Sequence, residues 1–283
     1  MSSGSEYRHI PDGFPARVSG LWAQEKLYYV QRYMSIFNGG MKKLWGSRVY
    51  LDLLAGCGRN VLKDATEEFD GSPLLALACT PAFSDMLFVE QDPNLAAALR
   101  ARVQARGGRP DLVEVADANA PALAEMVRER FSPRALGLMF VDCLGMEVEL
   151  ETVARLTKDR KMDLLLTFQV NDVTRNVPLA LKGEQDADRI DQFFGTTAWR
   201  NVATRFDLAD IASPDLAAAL TDFYCDQLKT IGYTHVEPHQ RLMRNTMSAP
   251  LYRLILAAKH ARAIDFFQKI SRIQSDGQRD LLR

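Results

Sequence analysis

Val49-Tyr-Leu-Asp-Leu-Leu-Ala-Gly-Cys-Gly58 is the stretch from which the fold can be read. Val49 to Leu54 is an apolar run broken by one carboxylate, Asp52, the pattern of a strand buried on both faces in a parallel sheet. Ala55-Gly-Cys-Gly58 follows as a turn of small residues, where the lack of bulky side chains lets backbone N–H groups approach a ligand closely. A carboxylate buried just ahead of such a turn needs a partner, because desolvating it alone is costly. The positive end of a bound ligand would serve. A phosphate-binding loop would instead carry a Lys after its glycines, and none follows here. The same stretch also fits an ordinary strand turn whose Asp is capped locally.

The whole chain sets wide bounds. Its 283 residues are 47% hydrophobic and 25% charged, the make-up of a globular α/β protein, read here as one domain. The net charge of -1 gives no overall field for a nucleic acid or a membrane surface. Cys57, Cys79, Cys143 and Cys225 are scattered, without the short spacing of a zinc or redox pair. With no signal pattern and no apolar run of membrane-span length, a cytoplasmic setting is expected. Met1-Ser-Ser-Gly-Ser5 is expected to be unstructured.

Upstream of the deciding strand, Gly13 to Gly20 reads as a loop. Leu21 to Phe37 reads as a helix with one apolar face, stopped by Asn38-Gly39-Gly40. Residues 1–46 thus form an expected N-terminal helical extension. Downstream, a long loop runs from Gly58 to Gly71. Ser72-Pro73 then opens a helix, Ser72 as its N-cap, whose free N–H groups would suit a carboxylate.

The second apolar run, Met86 to Glu90, ends in acids. A carboxylate at that strand tip suits ribose hydroxyls, which makes Glu90 a candidate, with Gln91 and Asp92 at an adenine edge. Asp92 also fits the N-cap of a helix from Asn94 to Gln104. A third strand ends at Asp117, which suits an adenine amino group or an N-cap of the next helix equally well. The fourth, Ala135 to Val141, releases Asp142 at its carboxyl end. The fifth, Met162 to Gln169, is followed by Asn171 and Arg175. Residues 176–213 read as a helical insertion covering the site. Ser213-Pro214 starts a further helix. Tyr233 to Met243 and Leu251 to His260 read as strands that must pair antiparallel at the sheet's edge. Ala263 to Ile273 closes the chain as a helix before a frayed end.

Five apolar runs alternating with helices, closed by an antiparallel hairpin, resemble the Rossmann-like class I S-adenosylmethionine-dependent methyltransferases, with helices on both faces of the sheet. Trp22-Ala-Gln-Glu-Lys26, Tyr50 to Gly58, Gly71-Ser-Pro73, Phe88-Val-Glu90, Val141-Asp142, Phe193-Phe-Gly-Thr196 with Trp199, and Pro250 to Lys259 are, in that order, similar to the bacterial three-Cys-motif partner family. The resemblance implies S-adenosylmethionine as cofactor, whose ammonium and sulfonium would answer the acid at Asp52. It implies a cofactor-binding set of Lys26, Asp52, Ala55, Gly56, Gly58, Ser72, Glu90, Gln91, Asp117 and Ala118, and no metal. Asp142, Asn171 and Arg175 are the expected catalytic residues, orienting an acceptor. A three-Cys-motif protein is the implied partner.

One departure stands out. The family has Asp-Pro-aromatic-Gly where this chain has Asp142-Cys143-Leu144-Gly145, so the device by which amino-methylating enzymes grip a base is missing. Cys143 raises a different idea, a thiolate attacking a pyrimidine ring. A basic group, Arg100, Arg102, Arg106 and Arg109, with the basic stretch from Lys259, fits either phosphates of a nucleic acid substrate or a solvated face. Two functions are expected to compete: a methyltransferase, and a methyltransferase-like binding module that serves a partner without methyl transfer of its own. The missing third Gly of the dinucleotide fingerprint argues against a nicotinamide enzyme.

Overall fold

The structure is a computed structural model that describes residues 7–63, 65–185, 187–206, 214–238, 242–244 and 249–272. Met1 to Ser5, Ser213 and the chain end after residue 272 lie outside the described residues.

The N-terminal segment is part sheet. β1 (Tyr7–His9) and β2 (Pro15–Ser19) pair antiparallel where a loop was expected. Pro15 opens β2, a position where a strand tolerates the missing N–H, so here it marks a strand start. α1 (Leu21–Met41) buries Leu27, Val30, Tyr33, Met34 and Phe37 along one stripe. It runs straight through Asn38-Gly39-Gly40, the expected stop. Tertiary contacts override local preference there. Buried Asn38 donates from Nδ2 to the Pro81 carbonyl at 2.5 Å and accepts from Arg48 Nε. A Cβ on Gly40 would come within 3.0 Å of the Phe266 ring, so helix packing favours the glycine.

β3 (Arg48–Asp52) is the deciding strand and is buried at every position. The expected loop after Gly58 contains β4 (Arg59–Leu62) and β5 (Glu68–Asp70). β2 runs parallel to β4, which pairs antiparallel with β5, giving a small separate sheet ordered β1-β2-β4-β5. α2 (Ser72–Leu77) has Gly71 in the N-cap position and Ser72 already inside its first turn, so Ser72 is not the cap. β6 (Asp85–Glu90) leads to α3 (Pro93–Ala105), where Asp92 Oδ1 accepts from the Asn94 and Leu95 amides and Pro93 takes the first helical position.

The alternation continues through β7 (Val113–Val115), α4 (Pro121–Arg130), β8 (Leu136–Val141), α5 (Leu150–Thr157), β9 (Lys161–Phe168) and α6 (Val170–Leu181). α7 (Asp188–Phe194) and α8 (Trp199–Ala203) lie in the stretch expected as an insertion. α9 (Pro214–Thr230), β10 (His235–Pro238), β11 (Met243–Arg244), β12 (Pro250–Ala258) and α10 (Ala261–Ser271) complete the described chain.

The main sheet is ordered β7-β6-β3-β8-β9-β12-β10, with β11 beside β12. Neighbours from β7 to β9 are parallel, and β12 is antiparallel to both β9 and β10. This is the Rossmann-like α/β sheet expected from the sequence, parallel strands closed by an antiparallel hairpin. Alternate residues of each strand feed two cores. Leu51, Met139 and Val141 pack with Val153, Phe193 and Leu220 on one face. Tyr50, Phe88 and Phe140 pack with Tyr33, Phe37 and Phe267 on the other. Each such side chain contributes about 1.5–3 kcal/mol when fully buried. The motif around Trp199 belongs to the first core. Its indole donates to Asp191 at 2.6 Å, and Phe193 stacks on Tyr224 with ring centres 4.6 Å apart. Among the described residues no helix is long and apolar enough to cross a membrane.

Candidate functional site

The turn after β3 is built by its glycines. Gly56 and Gly58 have φ of +61° and +80°, the left-handed region. A Cβ on Gly58 would lie 2.7 Å from Leu99, whereas one on Gly56 would meet nothing within 4 Å. Gly56 therefore faces open space. Its amide donates to Glu90 Oε2 at 2.8 Å, while Glu90 Oε1 accepts from the Asp92 amide at 2.8 Å. The turn and the tip of β6 are thus held together through one carboxylate.

Two hollows flank this turn at the carboxyl edge of the main sheet. The first, about 250 Å³, is lined by Lys26, Ala55, Gly56, Gly58, Ser72 and Asp142, with Trp22, Leu144, Gln169 and Tyr252 among the other walls. The second, about 380 Å³, is lined by Glu90, Gln91, Asp117 and Ala118, with Asn119, Glu147, Arg189 and Gln192. Leu54 lines both. Together they reach the size of ordinary ligand sites, about 300–1,000 Å³. The small sheet supplies Tyr7, Arg17, Val18 and Ser19 to the first hollow. From the described part of residues 176–213, Arg189 and Gln192 line the second hollow. Asp117 caps no helix: its Oδ1 accepts from the Asn119 amide at 2.9 Å.

Asp52 departs from its expected place. It is wholly buried, and Ser72 rather than Asp52 lines the first hollow. The Tyr50 hydroxyl donates to Asp52 Oδ2 at 3.1 Å, while Oδ1 has no hydrogen-bond partner. Burial pushes the carboxyl up to about 7; the Asp142 charge adds to this, and the Ser72 and Tyr50 hydroxyls and the Leu54 amide oppose it. Asp52 thus lies behind Ser72 and is not a wall of the hollow.

Asp142 is clamped. Lys26 Nζ lies 2.7 Å from Oδ1 and 2.5 Å from Oδ2, and the Thr167 hydroxyl donates to Oδ1 at 2.9 Å. The Lys26 ammonium sits 5.4 Å from the centre of the Tyr252 ring, whose hydroxyl donates to the Trp22 carbonyl at 2.6 Å. Three elements distant in sequence, α1, β8 and β12, therefore meet at this hollow. The clamp fixes the carboxylate as a hydrogen-bond acceptor of set direction.

Asn171 and Arg175 do not join Asp142. They line a separate groove with Pro214, Thr221 and Arg253, because α6 begins at Val170 and turns them away from both hollows. Exposed Arg175 pairs with Asp172 at 2.8 Å. Cys143 is 1% exposed, and burial, with the Glu147 charge, pushes its thiol far up, so a thiolate nucleophile has no basis here.

The arginine group is also committed internally. Arg102 binds Asp12 at 2.8 and 3.0 Å and the carbonyls of Pro15 and Cys57 at 2.9 and 2.6 Å. Arg106 pairs with Asp70, Arg109 with Asp85 and Asp111, and Arg100 donates to the Val113 carbonyl. Lys259 donates to the carbonyls of Thr157 and Arg160. Trp22, Thr167, Gln169, Tyr252, Arg189 and Gln192 are site residues that the sequence reading did not single out. Trp22 and Tyr252 stood inside resembling motifs, while the others carried no local signal.

No family model and no curated protein matches the chain. Among solved structures it is similar to the Legionella pneumophila protein LPL1258, of the DUF519 family, at 10% identity, with 89% of this chain and 90% of that one covered and a TM-score of 0.51. It is also similar to M. jannaschii TYW2 in complex with AdoMet, at 9% identity, 91% and 87% coverage and a TM-score of 0.42. A third is an O-methyltransferase from Bacillus cereus in complex with SAH, at 12% identity, 81% and 79% coverage and a TM-score of 0.44. The first of these likenesses speaks to the fold alone.

Proposed function

We propose that the chain is an S-adenosylmethionine-dependent methyltransferase of the three-Cys-motif partner type. The observation that carries the proposal is the pair of hollows meeting at Leu54, with Glu90 held 2.8 Å from the Gly56 amide. A strand-tip carboxylate in that position suits ribose hydroxyls. In this reading Glu90, Gln91, Asp117 and Ala118 hold the adenosine end. Ala55, Gly56, Gly58, Ser72 and Lys26 hold the amino-acid end, with the Asp52 charge behind Ser72 favouring an ammonium. The open face of Gly56 leaves room for such a ligand against the backbone. The family reading is supported by the convergence of Trp22, Lys26, Asp142 and Tyr252 on one hollow.

The cofactor, when bound, supplies an already activated methyl group. What remains for the chain is alignment and exclusion of water. Asp142, held by Lys26 and Thr167, accepts a hydrogen bond from the acceptor and sets its direction. Trp22, Leu144 and Tyr252 form an apolar wall beside it. Calorimetry with S-adenosylmethionine on the full chain tests the reading. Binding is expected, at least tenfold weaker in Glu90→Ala; no heat with the unaltered chain refutes it.

A second reading, a binding module that serves a three-Cys-motif protein, is favoured by one feature. Asp142-Cys143-Leu144-Gly145 lacks the proline and the aromatic, and both Asp142 oxygens are already engaged by Lys26. Transfer of labelled methyl to nucleic acid or protein fractions separates the readings. Cofactor binding with no transfer to any fraction selects the module.

A further inference from the structure

The small sheet β1-β2-β4-β5 has two unlike faces. On one, Ala16 and Val61 are buried with Ile10. On the other, the register sets Tyr7 beside Arg17 and Arg17 beside Asn60, since paired residues of neighbouring strands point to the same side. Tyr7, Arg17, Ser19 and Asn60 all line the first hollow. β4 starts at Arg59, directly after the glycine turn, so this polar face stands beside the turn.

A buried cation fixes the sheet in that place. Arg102, 6% exposed, binds Asp12 in the turn between β1 and β2 and the Pro15 carbonyl at the start of β2. It also binds the Cys57 carbonyl in the glycine turn at 2.6 Å. One guanidinium thus ties the small sheet to the backbone that walls the hollow.

The wall it presents is a donor surface. Asn60 Oδ1 accepts from the Ser19 hydroxyl at 3.1 Å, which leaves the N–H end of the amide for a ligand. Arg17 donates and never accepts, and its fork of five N–H groups has room for a carboxylate beside any partner within the chain. The other cations on the walls of this hollow are spent. Lys26 Nζ holds both oxygens of Asp142, and Arg59 holds Glu68 and Asp70 at 3.1 and 2.8 Å. Across the hollow from these donors in charge stands Asp52, behind Ser72. An acid on one side and a donor fork on the other suit the ammonium and the carboxylate of one α-amino acid.

We propose, resting on the cofactor reading above, that the small sheet is the carboxylate-reading wall of the site. Arg17 and Asn60 grip the α-carboxylate of the cofactor's amino-acid end, and so restrict the hollow to adenosyl ligands that carry one.

Calorimetric titration of the full chain with S-adenosylmethionine and with its decarboxylated form, which keeps the sulfonium and the amine, is the test. S-adenosylmethionine is expected to bind at least about tenfold tighter, the worth of one charge-assisted hydrogen bond. Arg17 and Asn60 are both partly exposed, so substitutions there keep the fold. Arg17→Gln should remove most of that advantage and leave the decarboxylated form within about twofold. Asn60→Asp keeps an oxygen for Ser19 and puts a negative charge on the wall. It should weaken S-adenosylmethionine at least about tenfold and leave the decarboxylated form no weaker. Equal affinity for the two ligands overturns the proposal, as does an equal loss for both, or no loss for either, in Arg17→Gln. The cofactor reading survives those results. It falls when neither ligand binds the unaltered chain, and the carboxylate wall falls with it.

Discussion

Asp52→Asn isolates the cost of an ionised carboxylate at the centre of the sheet. In the unfolded chain this carboxyl titrates at its ordinary 3.8; in the fold, burial raises it to about 7. A carboxyl raised on folding binds its proton more tightly in the native state. Between those two values the native chain therefore carries more protons than the unfolded one. Its contribution to stability is whole below 3.8 and is lost as pH rises to about 7. Roughly three pH units at about 1.4 kcal/mol each amount to about 4 kcal/mol, a large share of the 5–15 kcal/mol of a typical domain.

Asn keeps the shape and does not ionise. Urea unfolding of both proteins at about pH 5 and about pH 8 should show the variant gaining on the unaltered chain by about 3 kcal/mol between the two conditions. Taking the difference cancels other titrations. Among them are Asp12, held low by Arg102; Asp70, held low by Arg106 and Arg59; and Asp163, raised by its own burial. A difference between variant and unaltered chain that does not change with pH refutes the argument.

Lys26→Met leaves the Asp142 carboxylate, whose side chain is 15% exposed, without its counter-charge. A loss of about 3 kcal/mol is expected in chemical denaturation, partly restored by adding Asp142→Asn. Gly58→Ala adds a Cβ 2.7 Å from Leu99 at a left-handed φ of +80° and should cost about 1–3 kcal/mol, read as a lowered melting temperature. Cys143 should react with a thiol reagent only after unfolding, as its buried and raised thiol requires. Cys143→Ala should keep whatever transfer activity the chain has, and loss of that activity without loss of cofactor binding would revive the nucleophile.

The main sheet was legible because its strands are buried on both faces and so read as near-continuous apolar runs, such as Met86 to Val89 and Leu136 to Val141. The carboxylates at their tips follow from the same reading, and Glu90 and Asp142 stand at the hollows. What escaped was set by partners far along the chain. β1, β2, β4 and β5 are short and weakly patterned, and depend on one another and on Arg102 for their place. The helix passes Asn38-Gly39-Gly40 because Arg48 and Pro81 give Asn38 its partners. Asn171 and Arg175 follow a strand end as expected, yet the helix beginning at Val170 carries them to another groove. Proximity in sequence to a strand tip did not decide side-chain direction.

The hydrogen bond from Tyr252 to Trp22 bears on how the site comes into being. During synthesis α1 and the parallel strands leave the ribosome well before β12 exists. The seat beside Lys26 is walled on one side by a strand that must slot between β9 and β10, both made before it. A nascent chain halted ahead of Pro250 would hold its parallel strands and its glycine turn but offer a ligand only an open shelf, so competence to bind arrives late and all at once.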